Sequence, residues 1–169
     1  AVGSLNRSLK NVPGFELGSA VISESISKSK LKKDEVDEVI MGQVLTGGAG
    51  QNPARQASIS SGVPKEKPAF IVNQVCGSGI RSIASGFQSI KSGDSKIVIA
   101  GGQENMSLAP HAIHLREGKK LGDAEVIDTM IKDGLWDAFH GYHMGITAEN
   151  VATKFQVTRD QQDKFALSS

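Results

Sequence analysis

Three apolar runs divide the chain: Val39-Ile40-Met41 continuing to Val44-Leu45, Ala69-Phe70-Ile71-Val72 running on to Val75, and Ile97-Val98-Ile99-Ala100 ending in Gly101-Gly102. Each is continuous rather than alternating and rich in β-branched residues, which predicts strands buried on both faces. Helical patterns separate them, so crossover helices are expected to join the strands as βαβ units. Ahead of the first run, Leu17, Val21, Ile22 and Ile26 suit one face of a helix from Glu16 to Leu31. Before the second, Asn52-Pro53 places an N-cap and an N1 proline, opening a helix that carries Ala54, Ala57 and Ile59. The clearest period belongs to Ile80, Ile83, Ala84, Phe87 and Ile90, which predicts a helix buried between two strands and stopped at Gly93.

After Asn105 the alternation is lost. Gly118, Gly122, Gly134, Gly141 and Gly145 break the stretch, and all four histidines fall within it. It reads as an excursion from the core. A helix returns near Thr147 to Phe155, and another opens at Thr158, where Gln161 completes a capping box. The domains expected are thus a core over residues 1–105 and the start of a second, loop-built domain over residues 106–169.

Composition narrows the classes. A chain of 169 residues with 38% hydrophobic and 22% charged positions has the makings of a packed core, not a disordered segment. Lys and Arg number 19 against 18 acids, a balance that gives no broad footprint for nucleic acid. The densest basic run, Lys28 to Lys33, is followed at once by acids and reads as a solvated helix end. No apolar run approaches the roughly 20 residues of a membrane span, and no secretory pattern opens the chain. It begins abruptly at Ala1-Val2-Gly3-Ser4. With one cysteine, these features point to the cytoplasm and leave the mitochondrial matrix open. His111-x-x-His114 and His140-x-x-His143 invite a metal reading, but neither carries the Glu of a zinc-protease helix, and no metal site is expected. Gly47-Gly48-Ala49-Gly50 lacks the spacing of a phosphate loop and reads as a glycine turn.

The most informative stretch is Asn73-Gln74-Val75-Cys76-Gly77-Ser78-Gly79-Ile80, where a strand ends and a helix begins. A helix start carries partial positive charge and free N–H groups, which favour a thiolate and can hold a developing oxyanion. Gly77 and Gly79 remove side-chain bulk, so a substrate can approach the backbone. The arrangement follows the logic of a serine nucleophile elbow with sulfur in place of oxygen. A lone cysteine is also often a small buried hydrophobe, and these residues alone leave the two readings evenly matched.

Val75-Cys76-Gly77-Ser78-Gly79 resembles the nucleophile segment of thiolases. Gly50-Gln51-Asn52-Pro53-Ala54-Arg55-Gln56 looks like the segment those enzymes carry upstream. Gly101-Gly102-Gln103-Glu104-Asn105-Met106-Ser107, Asp133-Gly134-Leu135, His143-Met144-Gly145 and Thr147-Ala148-Glu149-Asn150 match in order. The likeness covers the whole chain, and the His-Met-Gly version is most similar to the acetoacetyl-CoA, biosynthetic branch. It implies an α/β, thiolase-like layered fold: a mixed sheet with βαβ units, the nucleophile at a strand-to-helix elbow, and part of an inserted loop domain for CoA binding and oligomerisation. The first strand of the family is expected to be missing.

The resemblance also implies a chemistry. Two acetyl-CoA molecules would condense to acetoacetyl-CoA and CoA, or the reverse, through an acyl-cysteine on Cys76, whose own N–H would help form the oxyanion hole. Leu135, His143 and Met144 would line the CoA pocket. The thioester carries the acyl group, so no metal or redox cofactor is implied. The full-length enzyme would be a homo-oligomer, dimer or tetramer, with residues 115–122 in a loop of tetramer contacts and the helix after Asn52 near a dimer interface.

The departures matter as much. The family's Gly-His-Pro, Cys-x-Gly and Asn-Glu-Ala-Phe motifs do not occur in this sequence, and Cys76 is its one cysteine. By resemblance these motifs supply the activating histidine, the second thiol and the water-positioning group. The chain is therefore expected to be acylated at most. The rival is a non-catalytic half that binds acyl-CoA or another subunit. A ketoacyl synthase-like condensing enzyme shares the elbow but not the other motifs.

Overall fold

The computed structural model describes residues 2–169; Ala1, where the abrupt start falls, lies outside the described residues. The three apolar runs become the strands of one parallel sheet, β1 (Glu38–Gly42), β2 (Ala69–Val72) and β3 (Val98–Gly102), in the order β2-β1-β3. Central β1 is buried, with Val39, Ile40 and Met41 at most 1% exposed. The outer strands are only partly covered, and Phe70 of β2 is exposed. Burial on both faces, expected of all three runs, therefore belongs to β1 alone, because each outer strand has one neighbour.

Helix α1 (Gly14–Lys28) buries Gly18, Ile22 and Ile26. Val21 lies on its open side, so the expected face is rotated slightly toward Gly18. Helix α2 (Pro53–Ser60) starts where the Asn-Pro pair predicts, the Asn52 side chain accepting from the Arg55 N–H. It buries Ala54 and Ala57 but leaves Ile59 exposed. Ile22, Ile26, Val36, Val39, Met41, Ala54, Ala57 and Val63 form one core cluster between these helices and one face of the sheet. Lys28 ends α1 in solvent and pairs with Glu24 one turn back, as the solvated-end reading predicts.

Helix α3 (Ser78–Ser92) crosses from β2 to β3 over the other face of the sheet. A side chain at Gly86 would stand 3.0 Å from Val98 and 3.4 Å from Ala100, so the helix lies close on β3. Its buried residues are Ser78, Ser82 and Gly86. The stripe read as its buried face is open instead: Ile80, Ile83, Phe87 and Ile90 are 78%, 57%, 61% and 45% exposed. This corrects the sequence expectation, and the reason is geometric. A small-residue stripe at i, i+4, i+8 permits the closest approach to the sheet, which turns the large apolar residues outward. Gly93, at φ +86°, ends the helix as expected.

Beyond β3, a short antiparallel pair, β4 (His111–Ala112) and β5 (Ile127–Asp128), completes a first compact unit that runs to Met130; Ile131–Ser169 form a second. The second unit contains a hairpin of β6 (Trp136–Asp137) and β7 (Tyr142–His143), then α4 (Met144–Phe155) and α5 (Arg159–Ser168). Helix α4 starts one turn ahead of the expected Thr147 because the His143 ring serves as its N-cap. Thr158 and Gln161 form the expected capping box on α5. No helix among the described residues is long and apolar enough to cross a membrane.

Candidate active site

The carboxyl ends of three parallel strands converge, as ligand sites of open α/β sheets do. The cleft there is lined by Val44 after β1, Val75, Cys76 and Gly79 at the entry to α3, Gly102 at the end of β3 and Glu104 just beyond it. Cys76 is exposed and stands two residues ahead of Ser78, the first residue of α3. Gly77 is the N-cap and supplies no side-chain hydrogen bond to the first turn. The thiol thus lies at the positive end of the helix without being part of it.

The turn that presents the thiol is tied from several directions. Val75 sits at φ +48°, a left-handed conformation costly for a β-branched residue. Its N–H donates to Asn73 Oδ1 at 3.0 Å, and its carbonyl accepts from both the N–H and the hydroxyl of Ser78. The Gln74 N–H donates to Ser78 Oγ at 2.9 Å. Deeper in, the Ser82 hydroxyl contacts the carbonyl oxygens of Gly79, at 2.7 Å, and Gly101, at 2.6 Å, locking α3 to β3. The start of α3 also passes against the end of β1 at Gly42, where no side chain fits.

Opposite the turn, Glu104 accepts from the Val44 N–H at 2.7 Å and from the Leu45 N–H at 3.3 Å. Its carboxyl is raised from the ordinary value by burial, with the two N–H groups pulling the other way. Beneath it, Gln103 donates to Gln43 Oε1 at 2.9 Å, and Gln43 donates to the Leu45 carbonyl at 2.9 Å. Among the described residues of this first unit, the cleft lining includes no histidine, and Glu104 is its one acidic residue.

The other residues singled out by resemblance belong to the second unit. Trp136 pairs with His143 across the β6–β7 hairpin, so Leu135 and Met144 follow at the same end of it. His143 is exposed, and its Nδ1 accepts from the Gly145 N–H at 3.0 Å. A neutral ring accepting at Nδ1 carries its proton at Nε2. Met144 is 40% exposed. In the hairpin turn, Asp137 accepts from the N–H groups of Phe139 and His140 and pairs with the His140 ring at 2.9 Å. These bonds lower the Asp137 carboxyl from its ordinary value. The four histidines do different work: His111 lies 3.9 Å from Asp128, His140 pairs with Asp137, His143 caps α4, and His114 is exposed.

Comparison with known proteins gives the family. The family described as "Thiolase, N-terminal domain" matches residues 1–169. The chain belongs to the thiolase family. An acetyl-CoA acetyltransferase of Rhizobium meliloti (strain 1021) is 59% identical over 169 residues, which are all of this chain and 43% of that relative. The cytosolic acetyl-CoA acetyltransferase of Rattus norvegicus is 54% identical over the same share of each. Among solved structures, the Acat5 thiolase of Ascaris suum, crystallised in complex with coenzyme A, superposes with a TM-score of 0.91 at 36% identity; the match covers 98% of this chain and 43% of that one. The chain therefore spans less than half the length of these relatives.

In this thiolase domain the residues that carried the resemblance are largely fasteners. Asn52 caps α2 and donates to the Ala69 carbonyl of β2 at 2.9 Å. Arg55 donates to the carbonyl oxygens of Lys67 and Lys65, gripping the turn before β2. Gln56 donates to those of Ala49 and Gln51, holding the glycine turn, in which Gly48 and Gly50 take positive φ. Asn105 donates to the carbonyl oxygens of Leu9 and Val12. Glu104 and Asn73 stood inside matched or quoted motifs without any assigned role. The signal was an acid two residues after a Gly-Gly strand end, and an Asn two residues before the strained Val75.

Proposed function

We propose that this domain accepts an acetyl group from acetyl-CoA on Cys76, the acyl-transfer half of an acetyl-CoA acetyltransferase reaction. The exposed thiol at the helix entry, with glycine on its far side, is the observation that carries this reading. The Cys76 sulfur attacks the thioester carbonyl, the bond from that carbon to the CoA sulfur breaks, and the proton lost by the cysteine thiol ends on CoA. N–H groups at the elbow, that of Cys76 included, are the candidate donors to the developing oxyanion. The thioester carries the acyl group, so neither a metal nor a redox cofactor is called for. Leu135, His143 and Met144 are the candidate CoA contacts.

Condensation requires more. A second acetyl-CoA must lose a methyl proton, and its carbanion must attack the acyl-cysteine, which regenerates the thiol and yields acetoacetyl-CoA. Among the described residues of the first unit no histidine lines the cleft around Cys76, and the sequence has no second thiol to move that proton. The open apolar face of α3 supports the view that the domain works covered by further protein. The alone-standing chain is proposed to acylate without condensing, and an oligomer of the whole enzyme is the proposed working form. A non-catalytic, acyl-CoA-binding role is the alternative outcome of the test.

Incubation with acetyl-CoA, following CoA release and acetoacetyl-CoA, separates the readings. One equivalent of CoA released per Cys76, with no sustained acetoacetyl-CoA, is expected. Sustained acetoacetyl-CoA would overturn the limit to acylation. No CoA release beyond that of Cys76→Ser would overturn acyl transfer itself.

A further inference from the structure

We propose that Glu104 is a positioning residue for the Cys76 nucleophile, acting through Val44 and Asn73 on the strained turn at Val75. The inference rests on the acyl-transfer reading above and adds a residue to it. After Gly42 the chain leaves β1. Gln43 still donates to the Val72 carbonyl, but the next two N–H groups, of Val44 and Leu45, have no strand to pair with. Buried backbone donors must find acceptors. The Glu104 carboxylate supplies both, in charge-assisted bonds that fix the segment after β1.

That segment reaches the nucleophile turn. The Val44 carbonyl accepts from Asn73 Nδ2 at 3.4 Å, and Asn73 Oδ1 accepts from the Val75 N–H at 3.0 Å. Glu104, Val44, Asn73 and Val75 thus form one relay across the cleft, ending next to Cys76. Its far end is where holding is needed. A valine at φ +48° relaxes toward negative φ unless its surroundings keep it there. Ser78 grips the carbonyl side of Val75 from within the turn, and Asn73 grips the N–H side. Asn73 takes its own orientation from Val44, and Val44 from Glu104. Relaxation at Val75 swings the following residue, and that residue is Cys76.

The test compares wild type, Glu104→Ala, Glu104→Gln, Asn73→Ala and the double alanine variant in the 169-residue chain. Two rates are read on Cys76: acetylation by acetyl-CoA, and alkylation by iodoacetamide as a function of pH. Alanine at either site is expected to slow both by about tenfold, as a misplaced reacting group does. Glu104→Gln keeps one oxygen for Val44 and restores most of the rate. The double variant loses no more than the worse single one, because both break the same relay. Additive losses, wild-type rates in a folded Glu104→Ala, or failure of Gln to restore the rate would overturn the proposal. Should Glu104→Ala not fold, the exposed Asn73→Ala decides by the same rates. Alkylation does not depend on acyl transfer, so a wild type that alkylates but never acetylates strikes only the function proposed above.

Discussion

A Cβ on Gly42 would stand 2.4 Å from the carbonyl carbon of Ser78. The end of β1 and the first turn of α3 therefore meet backbone to backbone. Gly42→Ala must push one from the other, and neither side is a flexible side-chain end. Overpacking of this kind costs about 1–3 kcal/mol. Chemical denaturation is expected to show that loss, together with slower alkylation of Cys76. An unchanged midpoint and rate would mean that the helix start is not held by β1.

The outward stripe on α3 makes an unusual prediction for residues so apolar. Ile83→Glu and Phe87→Glu should leave the denaturation midpoint of the chain within about 0.5 kcal/mol, because both sites already face solvent. They should also reduce self-association in sedimentation experiments. A large loss of stability would return these residues to the core.

Asn52 holds α2 in an unusual way. It caps the helix from a left-handed backbone, at φ +42°, which asparagine tolerates better than most residues. Asn52→Ala is expected to cost about 1–2 kcal/mol through the lost cap alone, with the bond to Ala69 lost as well. Asn52→Gly should cost less, since glycine accepts positive φ freely. Thermal or urea denaturation of the two variants gives the order, and a larger loss for glycine would contradict it.

Asp37 gives the chain a pH dependence. It accepts from the Lys96 N–H at 2.8 Å and the Ile97 N–H at 3.1 Å, with Lys67 at 3.4 Å, and these bonds lower its carboxyl from the ordinary value. An acid lowered on folding stabilises above its unfolded pKa, and the contribution is lost as pH falls through its folded pKa. Asp37→Asn should destabilise at neutral pH. The difference from wild type should close on acidification below the ordinary aspartate range. Glu104 has the opposite sign. Raised on folding, it favours the fold below its unfolded pKa and loses that contribution as pH climbs through its folded pKa. Urea denaturation across pH for Asp37→Asn and Glu104→Gln reads both, and parallel curves for wild type and variants would contradict the assignments.

Much of this was legible in the residues. Apolar runs, the Asn-Pro helix start, the Gly93 stop and the Thr158–Gln161 box are local signals, and local chemistry sets them. The elbow at Cys76 was legible because a strand end, two glycines and a helix period meet in eight residues. The orientation of α3 was not. Periodicity reports that a helix has an apolar face and a small-residue face, but not which of them the sheet takes. Here Ser78, Ser82 and Gly86 win the sheet because close packing on Val98 and Ala100 leaves no room for larger groups. Glu104 escaped for a related reason: its partners are backbone N–H groups 59 and 60 residues away, invisible to any local pattern.

The most direct measurement is the intact mass of the chain after exposure to acetyl-CoA, with Cys76→Ser alongside. The account predicts one added acetyl group on the wild type, mapped to the peptide bearing Cys76, and none on the serine variant under the same conditions. An unmodified wild type, or an equal adduct on both proteins, would contradict it.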